Sequence, residues 1–151
     1  MVERTGRARG SGHRHPVQTA AAVVGAVFVL VGILGFVPGV TTNYGDLGFA
    51  GNGSGALLLG LFQVSVLHNL VHLAFGAAGI AMSRSVPGAR NFLIWGGVVY
   101  AVLWLYGLLV GHTSPANFVP LNSADNWLHL LLAVAMIGLG VALGRRTTAA
   151  R

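Results

Sequence analysis

Two short phrases carry most of the chemistry open to this chain: Asn69-Leu70-Val71-His72 and Asn126-Trp127-Leu128-His129, each entering a long apolar run. Residues three apart share a helix face, so each phrase sets an amide beside an imidazole. Both groups are costly in hydrocarbon, and a polar pair that recurs inside a membrane is by default a functional-site hypothesis. One reading is structural. Asn69, His72, Asn126 and His129 then form a polar cluster whose side chains hydrogen-bond between helices, at roughly 0.6–2 kcal/mol per bond. The other reading counts ligands. His68 and His72 are four apart, as are Asp125 and His129, a spacing at which two side chains of one helix reach a single metal. Three His and one Asp suit Zn²⁺, Cu²⁺ or non-haem iron. A b-type haem held axially by His72 and His129 is a variant of this reading, with Gly76, Gly79 and Ala133 leaving room for the macrocycle. Against it, no Arg or Lys is placed within the bundle to hold the propionates.

The elements that must position these residues are membrane helices. Of 151 residues, 54% are hydrophobic and 8% charged, a composition outside the range of a soluble domain of this size. Four apolar stretches, about 17–37, 64–82, 92–110 and 126–143, each approach the roughly 20 residues needed to cross a hydrocarbon core. The expected fold is an all-α integral membrane protein, a four-transmembrane-helix bundle over 17–143. It is flanked by a disordered basic cytoplasmic tail (1–16) and a second basic cytoplasmic tail (144–151). The first run is too long for a signal peptide core and lacks a small-x-small cleavage site after it, so it reads as a retained helix. With no cysteine, disulfides, thiol catalysis and thiolate metal centres are excluded. The apolar stretch Ala56–Gln63 precedes the second run and reads either as an interfacial helix or as an extension of that span.

Charge sets the expected orientation. Arg4, Arg7, Arg9 and Arg14 precede the first span, Arg84 and Arg90 separate the second from the third, and Arg145, Arg146 and Arg151 follow the fourth. With four crossings all of them fall on one side, while the other two loops carry Asp46 and Asp125. By the positive-inside rule both termini are cytoplasmic in the cell membrane. The same arginines serve as topology determinants against anionic lipid, so the net charge of +6 is no argument for nucleic acid. The expected partners are the bilayer itself and a membrane-protein partner or a second copy.

The chain also repeats itself. At an offset of 57 positions Asn69 meets Asn126, His72 meets His129, Leu73 meets Leu130 and Ile80 meets Ile137. At an offset of 72 the first span meets the third: Gly25 with Gly97, Phe28 with Tyr100, Gly35 with Gly107. Two parallel helical-hairpin repeats follow, related by an axis along the membrane normal. Ser65 and Asn122 fall in one register, each just before a helix, as N-cap residues. Asp125, three residues after Asn122, completes the pattern of a capping box.

Catalysis has little to work with. One Glu and two Asp rule out paired-carboxylate chemistry, and Ser65, Ser114 and Ser123 have no nucleophile-elbow context. The segments Leu61 to Leu73, Trp104-Leu105-Tyr106-Gly107 and Ala116 to His129 resemble the signature segments of the bacterial membrane-protein family catalogued as domain of unknown function 4383. The resemblance covers about Val17 to Leu143. It implies a small four-helix membrane protein without an assigned activity, and so carries over no catalytic residue. The family pattern usually has Asn where this chain has Ser65, which preserves a capping role.

Overall fold

The computed structural model describes residues 14–145, the last of them by its backbone alone. Four helices account for 83 of those 132 residues: α1 (Pro16–Leu34), α2 (Val66–Met82), α3 (Val86–Leu109) and α4 (Ser123–Arg145). Most of the two segments expected to form basic tails lies outside the described residues, and Pro16 already belongs to α1.

Local chemistry explains where the helices start and stop. Pro16 opens α1, where a fixed φ and a missing N–H cost nothing. The Ser65 hydroxyl accepts from His68 N at 3.1 Å at the head of α2. The Ser85 hydroxyl accepts from Gly88 N at 3.1 Å at the head of α3, with Pro87 in its first turn. The connection between α2 and α3 is therefore only residues 83–85. Arg90, expected in that connection, lies inside α3, because the Ser85 cap and Pro87 start the helix before the apolar run begins.

The helices pair as two antiparallel hairpins, α1 with α2 and α3 with α4. Along the first pair, Gln18 Nε2 donates to Ser83 O at 3.1 Å at one end. Gly25 lies mid-way against Gly76 and Ile80, and Gly35 lies at the other end against Asn69. These glycines bring backbone to backbone: a β-carbon on Gly25 would sit 2.8 Å from Gly76 O, and one on Gly76 would sit 2.6 Å from Gly25 O. Small residues are what permit such approach in membrane helices, where packing rather than water expulsion drives association. The second pair meets through Gly97 against Ala133 and Ile137, and through Gly107 against Asn126. Between the hairpins, Phe28, Phe92, Leu93, Tyr100, Ala133 and Met136 form a shared buried core.

Three of the helices, α1, α3 and α4, are long and apolar enough to cross a membrane. With 17 residues, α2 is about 25 Å long at 1.5 Å per residue.

A small antiparallel sheet closes one end. Its strands are β1 (Thr41–Thr42), β2 (Leu57–Leu58) and β3 (Phe62–Gln63), in the order β1-β2-β3, with Leu57 opposite Gln63 and Leu58 opposite Phe62. Ala56, Leu58 and Val64 are buried under it and pack against Val31 and Leu34 of α1. The expected helix over 56–63 is thus a β-hairpin. Leu59 at φ 54° and Gly60 at φ 70° reverse the chain there in the left-handed region, which no helix tolerates.

Candidate functional site

The residues singled out by type and spacing gather at the sheet-bearing end of the bundle. Asn69, 1% exposed, presses its amide against Gly35, and Asn126 does the same against Gly107. A β-carbon at either glycine would collide with the Asn Oδ1 atom facing it. The hydrogen bonds expected between the Asn and His side chains are not formed. Both amide atoms of Asn69 and Oδ1 of Asn126 are buried without a hydrogen-bond partner. Each Asn is fitted by shape to a glycine of its hairpin partner, Gly35 just past the end of α1 and Gly107 within α3, a partner that a search for polar pairs passes over.

The histidines enter a ladder of rings. His68 stacks on His72 with centroids 4.2 Å apart, His72 meets Phe28 at 5.5 Å, Phe28 stacks on Tyr100 at 5.4 Å, and Tyr100 meets His129 at 5.2 Å. Phe75 sets its edge against both Phe28 and Tyr100. Such ring pairs contribute about 0.5–1.5 kcal/mol each beyond the area they bury. The ladder runs from α2 through α1 and α3 to α4, so it ties one hairpin to the other. His72 Nδ1 lies 3.0 Å from His68 O. A carbonyl can only accept, so the proton sits on Nδ1 and leaves Nε2 as an acceptor.

Asp125 has a different task. Its Oδ2 accepts from Asn122 N at 3.1 Å while Asn122 Oδ1 accepts from Asp125 N at 3.0 Å, a reciprocal cap on α4. The same Oδ2 accepts from Gln63 N in β3 at 3.0 Å, and Asn122 Nδ2 donates to Leu61 O at 2.8 Å. The head of α4 thereby fastens the sheet. Asn117, which lies in the Ala116 to His129 segment but had no role assigned to it, is buried in the 110–122 connection, where its Nδ2 donates to His112 O at 3.1 Å and Leu121 O at 3.2 Å.

His68, His72 and His129 line one cavity of about 280 Å³ together with Tyr100; Asp125 is not among its lining residues. No group of three or more His, Cys, Asp or Glu among the described residues is placed to hold a metal ion. The space beside two of the small residues considered for a macrocycle is taken: Gly76 abuts α1 and Gly79 abuts the Phe92 ring.

The model of the family described as domain of unknown function (DUF4383) matches residues 18–142. The chain belongs to this family. The DUF4383 match takes in nearly all of α1 and α4, the sheet, α2, α3 and the 83–85 and 110–122 connections, and with them every residue of the ring ladder and both Asn–Gly contacts. No curated protein and no solved structure matches the chain.

Proposed function

We propose that this DUF4383 protein is a non-catalytic structural or accessory membrane protein. On this reading it is a four-span bundle of two parallel hairpin repeats, with both termini cytoplasmic and the sheet on the outer face. One observation carries the architecture: residues related by the sequence offsets make matching contacts. Gly25 meets Gly76 and Ile80 as Gly97 meets Ala133 and Ile137; Gly35 meets Asn69 as Gly107 meets Asn126. Phe28 meets His72 as Tyr100 meets His129, and Phe28 and Tyr100 stack on each other where the axis would pass. Chance apolar similarity gives no reason for contacts to coincide in this way.

Support for α2 as a fourth span comes from its running beside α1 from Ser83, bonded to Gln18, to Asn69 at Gly35. Support for a structural role comes from how the polar side chains are used. Asp125 caps a helix and fastens the sheet, and the histidines join a ladder that links the hairpins. Exposed apolar side chains such as Val23, Val27, Leu30, Trp95 and Val102 would face lipid or a partner in the membrane.

Orientation is the test. The chain has no cysteine, so single replacements report cleanly. Gly45→Cys and Thr113→Cys should react with a membrane-impermeant maleimide in intact cells, and Arg84→Cys only after lysis. Labelling of Arg84→Cys together with the other two in intact cells would refute the four-span arrangement.

A further inference from the structure

We propose that the cavity lined by His68, His72, Tyr100 and His129 binds a membrane-soluble phenol or quinol, a small ring-bearing molecule with a free hydroxyl. It rests on the four-span reading only for the route of entry, from the bilayer between α2 and α3. Those two helices pack mainly on α1 and α4 and little on each other. Val71 and Val99, both about half exposed, stand at the gap, and Phe118 from the 110–122 connection overhangs it.

Size, wall and polar groups agree on the ligand class. A cavity of about 280 Å³ is near the lower end for small-molecule sites and takes one substituted ring rather than a macrocycle. Four ring-bearing residues are among those that line it: His68 and His72, whose imidazoles stack on each other, Tyr100 and Phe118. His72 spends its Nδ1 proton on His68 O, so its Nε2 is left to accept. The Tyr100 hydroxyl makes no hydrogen bond among the described residues and is left to donate. A hydroxyl satisfies both, donating to an imidazole nitrogen and accepting from the phenol. A purely apolar guest would leave these groups unpaired, which is what a selective site penalises. Phospholipid headgroups are too large, and no cationic side chain among the cavity residues would meet a phosphate.

The probe is 2,6-diisopropylphenol, with its methyl ether as the partner lacking the donor, titrated calorimetrically into the whole protein in detergent. Saturable binding at one site per chain is expected, with the ether about tenfold weaker, the value of one hydrogen bond. His72→Phe keeps a ring in the ladder and removes the acceptor; it should weaken the phenol about tenfold and leave the ether unchanged. Val71→Trp fills the mouth from an exposed position and should abolish binding of both, which keeps the test decisive where His72→Phe fails to fold. Equal affinity for phenol and ether overturns the proposal. So does non-saturable uptake that Val71→Trp does not alter, or about one tightly bound metal per chain in protein purified without chelator. Loss of binding with the cysteine labelling pattern intact would fall on this site alone and leave the four-span architecture standing.

Discussion

The α1–α2 and α3–α4 hairpins solve the same packing problem with different margins. In the first, backbone meets backbone from both sides. A β-carbon on Gly25 would be 2.8 Å from Gly76 O and 2.8 Å from Ile80 N, and one on Gly76 would be 2.6 Å from Val29 N. In the second, only one partner is a glycine. A β-carbon on Gly97 would first meet a side-chain atom, Ile137 Cγ1, at 2.6 Å, with Ala133 O at 3.0 Å, and Ala133 already carries a methyl group. The ends differ more. Residues 35–65 carry the three short strands of the sheet, whereas 110–122 make an irregular connection held by Asn117. The position that is His68 in one hairpin and Asp125 in the other follows that difference. His68 stacks on His72 beside the cavity, while Asp125 takes up the backbone N–H of Gln63 from the sheet built by the other hairpin. On the proposed repeat, matched contact positions carry small residues in both hairpins, while the matched position at the closing loop carries His68 in one and Asp125 in the other.

The sharpest way to break this comparison is to add one methyl group to each hairpin. Gly76→Ala drives a β-carbon into immovable backbone and should cost about 3 kcal/mol, the upper part of the range for overpacking. Gly97→Ala meets the Ile137 side chain first, with the backbone atoms Ala133 O and Ile137 N farther off at 3.0 Å, and should cost less, about 1 kcal/mol. Unfolding in mixed detergent–dodecyl sulfate micelles measures both; equal losses would mean that the two interfaces are equally tight. The divergent position offers a second contrast. Asp125→Ala leaves Gln63 N and Asn122 N without their acceptor and should cost about 2 kcal/mol. His68→Ala keeps the backbone cap from Ser65 and loses one ring pair, about 1 kcal/mol. A His68→Ala loss as large as that of Asp125→Ala would remove the distinction between a sheet fastener and a cavity wall.

How much of this was legible in the sequence depends on the range of the interaction. Helix runs are written locally, in apolar stretches and in the Pro and Ser residues that open them, so α1, α3 and α4 could be placed from composition. The start of α3 could not, because the apolar run begins later than the Ser85 cap and Pro87. The sheet was hidden because its strands are two residues each, too short for alternation to show. Leu59 also turns the chain in a conformation that sequence rules reserve for Gly or Asn. At the site, spacing placed Asn and His on shared faces but was silent on what those faces meet. The Asn partners are glycines, and an absent side chain leaves no polar signature to pair with. Likewise, Asp125 and Asn122 are neighbours in sequence, but the approach of Gln63 to Asp125 is a tertiary event that four adjacent residues cannot announce.

The most specific expected effect is a coupling rather than a loss. If each Asn is held by shape against a glycine, the two members of a pair are coupled through volume rather than through a hydrogen bond. Gly35→Ala alone should cost about 1–2 kcal/mol, because its methyl group displaces a buried amide. Asn69→Ala removes that amide together with its two unpartnered polar atoms, so it opens a small void but also lifts a desolvation cost, and should be nearly neutral. The double variant should then recover most of the Gly35→Ala loss, a coupling of about 1 kcal/mol, well above the about 0.3–0.5 kcal/mol within which independent sites add. Gly107→Ala with Asn126→Ala should show the same sign and a smaller value, since Asn126 is 8% exposed where Asn69 is 1% exposed and has more room to move. Simple additivity in both cycles would mean that the amides are anchored elsewhere, and that their fit to the glycines follows from the fold without holding it.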